Sequence, residues 1–312
     1  QVATIVVTPT YTFNGKDCTG SPETFTITVN PSAQTDQPTS LIVCEDDIVS
    51  TINFTTLNTV GTTAYNWTND NVNIGISTAN GTGDIGTFTA LNSTSTPQVA
   101  TITVTPTFTY NSIPCVGTPK IFTITVNPSA QVDPIGSPTV CAGDLTTAIN
   151  FSTLTTLGTT TYSWTNSNTT IGSILAAGTG NIAPFTAINT STIPQVATIT
   201  VTPTFTYNGK ICSGNPETFT ITVNPTAEVD QPSNEVFCES DVAVINFNTS
   251  NTVGTTTYDW TNSNTAIGLT AVSGTGPSIT FTTTNTGTTP ITSTIQVTPT
   301  FSFNGVNCDG PN

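Results

Sequence analysis

VTPTFTYNGKICSGNPETFTITVNP, residues 201–225, decides the fold by its alternation. Extended back to residue 197, the run puts Ala197, Ile199, Val201, Pro203, Phe205 and Tyr207 in one phase. Thr198, Thr200, Thr202, Thr204 and Thr206 hold the other. Phe219, Ile221 and Val223 then alternate with Thr218, Thr220 and Thr222. A period of two sends one phase to each face of a sheet. The stretch therefore predicts two half-buried antiparallel strands around a loop containing Gly209, Gly214 and Pro216. Thr faces water in this reading, and being β-branched it suits a strand surface.

The same words recur at 7–31 and 104–128, and a shorter version closes the chain. Three series of anchors keep step with a period of 96 or 97 residues: Cys18, Cys115, Cys212 and Cys308; Cys44, Cys141 and Cys238; Trp67, Trp164 and Trp260. The single-residue difference lies between the second cysteine series and the next strand. Cys141 precedes Ile149 by eight residues and Cys238 precedes Ile245 by seven. Such a period is too long for a solenoid and fits an independent domain of about 100 residues. The expected division is the closing hairpin of one repeat (1–30), two whole repeats (31–127 and 128–224), and a repeat without its last strand (225–312).

Within a repeat, Ile149 and Phe151, then Tyr162 and Trp164, then Ile171, then Phe185 after the turn AGTG, mark short strands before the final hairpin. About seven turn-separated strands predict an all-β chain of tandem immunoglobulin-like β-sandwiches. Trp67, Trp164 and Trp260 are the expected core residues. The proline-bearing segments VNPSAQTDQPTSLIVC, VNPSAQVDPIGSPTVC and VNPTAEVDQPSNEVFC read as short semi-rigid linkers, which predicts an extended rod.

In this topology the start of the first strand and the loop between the last two strands lie at one end. The expected disulfides are therefore Cys44–Cys115, Cys141–Cys212 and Cys238–Cys308, with Cys18 pairing upstream of residue 1. Each would close a loop of about 70 residues, contributing about 4 kcal/mol in the chain-entropy model. Regular cysteine pairs fit an oxidising compartment. The nearer pair, Cys18–Cys44, would have to span a whole strand, beyond the Cα separation of about 7 Å that a disulfide tolerates.

The chain carries 3 basic and 18 acidic residues, with no His. Without imidazole there is no Ser-His-Asp or Cys-His arrangement and no histidine metal ligand, so no enzyme activity is expected. Lys16 and Lys210 occupy equivalent loop positions, but Ile113 and Val306 stand there in the other copies, which argues against a Lys–Asn cross-link in every repeat. GTGDIG at 81–86 matches a nucleotide-loop pattern in letters only. No helix follows it, and Ala183 replaces Gly86 in the next copy, so it reads as a turn. A net charge of −15 does not suit a phosphate backbone. No cofactor is expected. Asp36, Asp133 and Asp230 recur before the cysteines and Asp47, Asp144 and Asp241 three residues after them, a weak pattern for junctional Ca²⁺ against an ordinary role in turns. No run of apolar residues is long enough to span a membrane.

The wordings YSWTNSN, VTPTFTYNGKICSG and PETFTITVNP resemble the PKD-like, immunoglobulin-type repeats of giant surface adhesins of Bacteroidota. The resemblance extends over the whole chain and is greatest to the SprB-like gliding-motility adhesins of flavobacteria. It implies type IX secretion, display at the outer membrane, propulsion by a proton-driven motor, and adhesion to polysaccharide-like surfaces. Contacts with the gliding and secretion machinery would lie outside these residues. YSWTNSN lacks a WDFGDG-like turn, so ligands associated with that turn do not carry over. The expected role is an adhesin stalk. The alternatives are glycan-binding modules, which the core phase of the recurrent aromatics disfavours, and spacers of a secreted polysaccharide-degrading enzyme. Outward Thr ladders such as Thr24, Thr26 and Thr28 also admit an ice-binding surface, but strands place Thr outward in any case.

Overall fold

The structure, a computed structural model, describes residues 1–311. Strands dominate, and three single-turn 3-10 helices (Val72–Ile74, Thr169–Ile171 and Thr265–Ile267) interrupt them. The chain forms two compact units. One holds residues 1–130 together with 155–159 and 205–213. The other holds 131–154, 160–204 and everything from Gly214 onward.

In the first unit, one sheet runs Leu41–Cys44, Lys120–Asn127, Gln98–Tyr110, Thr62–Asn69, Asn80–Thr82. The first pairing is parallel and the others antiparallel. Ile113–Val116 folds back on the far half of the long strand Gln98–Tyr110. The opposing layer is slight: Ile48–Val49 pairs with Phe88–Thr89, and Ile52 bridges Ile85. Phe54, Tyr65, Trp67, Ile102, Val104, Phe122, Ile124 and Val126 fill the core between them. A second sheet repeats the path with Thr139–Cys141, Glu217–Asn224, Gln195–Tyr207, Thr159–Asn166 and Ala177–Thr179. A third core gathers Phe247, Tyr258, Trp260, Leu269 and Ile279.

The two-residue period acts as the sequence requires. Along Gln195–Tyr207, Ala197, Ile199, Val201 and Phe205 are fully buried, while the intervening threonines are exposed or half-buried. Burying each Ile or Val side chain contributes about 1.5–3 kcal/mol. The final hairpin is more elaborate than a pair of strands and a loop. The long strand outruns its partner by several residues. Gly117 and Pro119 break the returning chain, and Ile113–Val116 makes a second small hairpin at the tip.

The first two proline-bearing segments are not linkers. Residues 33–44 run beside the last strand of their own repeat. Gln37 Nε2 donates to Ile121 O at 2.8 Å, Thr123 N donates to Ser40 Oγ at 3.1 Å, and Leu41–Cys44 then joins the sheet. Ala33 and Thr35 are buried. This corrects the disulfide assignment. The segment enters at the hairpin end, where Ala33 lies against Gly117. It carries Cys44 to the opposite end, beside Asn127. Gln98 pairs there with Val126, whereas Cys115 pairs with Phe108, ten residues along the same strand. That is about 33 Å at about 3.3 Å per residue, far beyond disulfide reach. Cys44 instead bonds Cys212, and Cys141 bonds Cys308. The expected pairs Cys44–Cys115, Cys141–Cys212 and Cys238–Cys308 do not form, and Cys18, Cys115 and Cys238 carry free thiols.

Candidate functional site

The place where the structure concentrates specific chemistry is the joint at the end of each repeat. It starts from the last residue of the last strand. Asn127 is completely buried. Its Nδ2 donates to Tyr207 O at 3.2 Å, so it grips the turn of the next repeat's tip hairpin. Its own carbonyl accepts from Glu45 N at 2.9 Å, and the Glu45 carboxylate accepts from Ser129 N at 3.2 Å. The chain leaving one repeat is thereby tied to the edge strand of that repeat. Beside it, Cys44 and Cys212 form their disulfide with Cα atoms 5.5 Å apart. All of these residues belong to the first unit.

A turn presents Cys44. Asp47 N donates to Cys44 O at 3.1 Å, and the Asp47 carboxylate accepts from Cys44 N at 2.9 Å. Lys210, from the tip hairpin, closes an ion pair with the same carboxylate at 3.1 Å. The backbone N–H of Cys44 is the main cause that holds the Asp47 carboxyl below its ordinary range. Partial burial opposes it, and Lys210 adds to the lowering.

The second unit repeats the device with one member exchanged. Asn224, also completely buried, donates to Phe303 O at 3.1 Å and Val306 O at 3.3 Å. Cys141 and Cys308 lie 5.5 Å apart at Cα, and Asp144 accepts from Cys141 N at 3.2 Å. Val306 stands where Lys210 stands in the first joint, so the ion pair is dispensable and the asparagine and the disulfide recur. Asn30 makes the same contact with Tyr110 O, at 3.0 Å, where Cys115 is a free thiol.

The recurrent aspartates hold local backbone and neighbouring hydroxyls. Asp47, Asp144 and Asp241 each accept from the N–H of the cysteine three residues before. Asp36 accepts from Thr55 Oγ1, and Asp133 accepts from Ser152 Oγ at 2.6 Å. Among the described residues no three His, Cys, Asp or Glu side chains are gathered as metal ligands.

Trp67, Trp164 and Trp260 are 7, 7 and 8% exposed, inside the three cores. Each lies flat on a glycine. A Cβ on Gly81, Gly178 or Gly274 would sit 2.2 to 2.3 Å from the indole Cζ2. The next glycine, Gly83, Gly180 or Gly276, has positive φ and donates its N–H to the carbonyl of the Tyr two residues before the Trp. The GTGDIG letters are thus a platform for Trp67.

Sequence reasoning missed the buried asparagines. Asn69, Asn166 and Asn262 end the Trp-bearing strands, and their side chains satisfy the backbone of the following turn. Asn127 and Asn224 were hidden within the segments VNPSAQVDPIGSPTVC and VNPTAEVDQPSNEVFC, which read as linkers. Their recurrence at fixed distance from the cysteines was the available clue. Lys210, weighed only as a cross-link, makes an ion pair.

A family model described as a PKD-like domain matches residues 41–130 and 138–227. No curated protein matches the chain. Among solved structures, three N-terminal domains of the highly immunogenic outer capsid protein of bacteriophage RB49 share 13% identity. That match covers 89% of this chain and 94% of that one, with a TM-score of 0.39. Mouse cadherin-23 EC22-24 shares 11% identity over 90% of this chain and 96% of that one, with a TM-score of 0.38. The human desmocollin-1 ectodomain shares 11% identity over 95% and 60%, with a TM-score of 0.24.

Proposed function

The chain belongs to the PKD-like domain family, and on that premise we propose that it is a length of stalk in a repetitive cell-surface adhesin. The observation that carries this reading is the joint: consecutive repeats are tied by a disulfide and a buried asparagine, an arrangement with no use in an isolated binding module. Tandem sandwiches with disulfides fit an extracellular, adhesion-type or structural role. The wording of the repeats supports a gliding-motility adhesin, exported by type IX secretion, held at the outer membrane and adhering to polysaccharide-like surfaces.

In a stalk the number of repeats matters more than any one side chain. Deleting residues 98–194 joins Pro97 to Gln195, as Pro194 is joined now, and removes one period. Cells carrying this deletion in the parent protein should display it and still adhere, with a reach shorter by about 35–45 Å. Loss of adhesion with normal surface display would contradict the stalk and place a specific site inside 98–194.

A further inference from the structure

The two disulfides cross along the chain: Cys141 lies inside the loop that Cys44–Cys212 closes, and Cys308 lies outside it. They gather four cysteines into two covalent junctions, Cys44 with Cys212 and Cys141 with Cys308. Three stretches of backbone connect the junctions: 97 residues from Cys44 to Cys141, 71 from Cys141 to Cys212, and 96 from Cys212 to Cys308. Tension between the junctions falls on the stretch that becomes taut first, which is the shortest. At about 3.5 Å per extended residue, the middle stretch is taut at about 250 Å, while each of the others keeps about 90 Å of slack.

From this we infer that the crossed bridges send tension backwards through the middle repeat and release length in two unequal stages. A pull on the ends crosses by sulfur from Cys44 to Cys212, runs against the chain direction to Cys141, and crosses to Cys308. The loaded stretch holds Phe151, Trp164, Ile171 and Ile199 of the second core. The slack stretches hold the last strands Lys120–Asn127 and Glu217–Asn224, both buried asparagines, and the proline-bearing segments that follow them. However far those strands leave their sheets, the junctions cannot separate beyond the reach of the middle stretch while both bridges hold. Loss of either bridge moves the load to a stretch about 25 residues longer, a small gain of about 90 Å. Loss of the second releases its whole loop of 168 or 167 residues. Bridges inside single repeats behave otherwise, because each closes its own loop and every breakage gives the same gain. The use of such staged release rests on the stalk reading. The routes themselves are a property of the connectivity and are read in vitro, whatever the array does on a cell.

The test is single-molecule extension of residues 1–312 with the free thiols alkylated. The chain is held by its ends at a constant force that unfolds the repeats and keeps it near full extension, and a thiol reductant is then added. The expected record has two unequal steps, about 90 Å followed by about 590 Å, at about 3.5 Å for each residue released. Two double variants examine the routes separately. Cys44→Ser with Cys212→Ser, and Cys141→Ser with Cys308→Ser, should each start about 90 Å longer than the unmodified chain and show the large step alone. Removal of all four cysteines should start about 680 Å longer and show no step. Three steps of about 250 Å would overturn the inference in favour of bridges within repeats. A double variant equal in length to the unmodified chain, with thiol counting showing its remaining bridge formed, would overturn the backward route. A large step with no small step before it, on molecules counted as carrying both bridges, would overturn it as well. The reductant record on the unmodified protein stands without any variant having to fold.

Discussion

Trp164 and the two glycines of AGTG show how closely one turn is specified. Gly178 and Gly180 are both glycines for conformational or spatial reasons, but the reasons differ. At Gly178 the space for a methyl group is occupied by the indole of Trp164, at 2.3 Å. At Gly180 nothing lies near, and only φ +69° disfavours a side chain. Gly178→Ala must move a buried ring that is held by its own hydrogen bond to Gly180 O at 3.0 Å, and it should cost about 3 kcal/mol as overpacking. Gly180→Ala should cost about 1 kcal/mol. Denaturant unfolding of the two variants, followed by circular dichroism, measures the difference. Equal costs would mean that Trp164 does not rest on that backbone.

At the scale of the element, the tip hairpin and the edge strand meet in a joint whose parts are unequal in weight. The Asp47–Lys210 pair is partly exposed, and such pairs contribute about 0–1 kcal/mol. The Asp47 carboxyl is held low chiefly by the N–H of Cys44. Its folded value lies below its unfolded one, so it stabilises the joint above the ordinary carboxylate range. That contribution is lost as pH falls through the lowered folded value. Lys210→Ile, which installs the residue type found at Ile113, should raise the Asp47 titration only part of the way towards the ordinary value, as followed by NMR of the carboxyl carbon. A full return to the ordinary value would show that Lys210, not the backbone, sets it.

This element is also where the sequence stops being legible. The alternation of Ala197 to Tyr207 against Thr198 to Thr206 fixes strands, faces and the sandwich, because a period of two has a single structural meaning. The buried Trp and the hairpin follow from the same pattern. The segment from Ala33 to Cys44 carries no such period. Its Pro38 and its Asp, Ser and Thr residues read as a connection, yet an edge strand pairs along one side only and tolerates Pro on the other. Misreading it moved Cys44 from one end of the repeat to the other, and the pairing followed. The period of 96 or 97 residues is compatible with either choice of partner. Only the parallel pairing of Leu41–Cys44 with Ile124–Asn127 separates them.

For the whole molecule, the account holds that each repeat is fastened to the next by its own cysteine and a hairpin of its neighbour. Deletion of residues 98–194 makes this visible, because it places Cys44 and Cys212 in one repeat, at its opposite ends. Their present bond should then be lost. Cys44 should pair with Cys308, which has become the hairpin cysteine of the following repeat, and Cys212 should become a free thiol. Persistence of Cys44–Cys212 in the deletion variant would mean that the bond does not depend on which repeats are adjacent.

The most direct measurement needs no variant. Proteolysis of the unreduced protein, with free thiols blocked beforehand, and mass spectrometry of the linked peptides reports the partners themselves. The account predicts Cys44 joined to Cys212 and Cys141 joined to Cys308, with Cys115 alkylated. Recovery of Cys44 joined to Cys115 and Cys141 joined to Cys212 would contradict it, because every bridge would then lie inside a single repeat and nothing covalent beyond the backbone would fasten one repeat to the next.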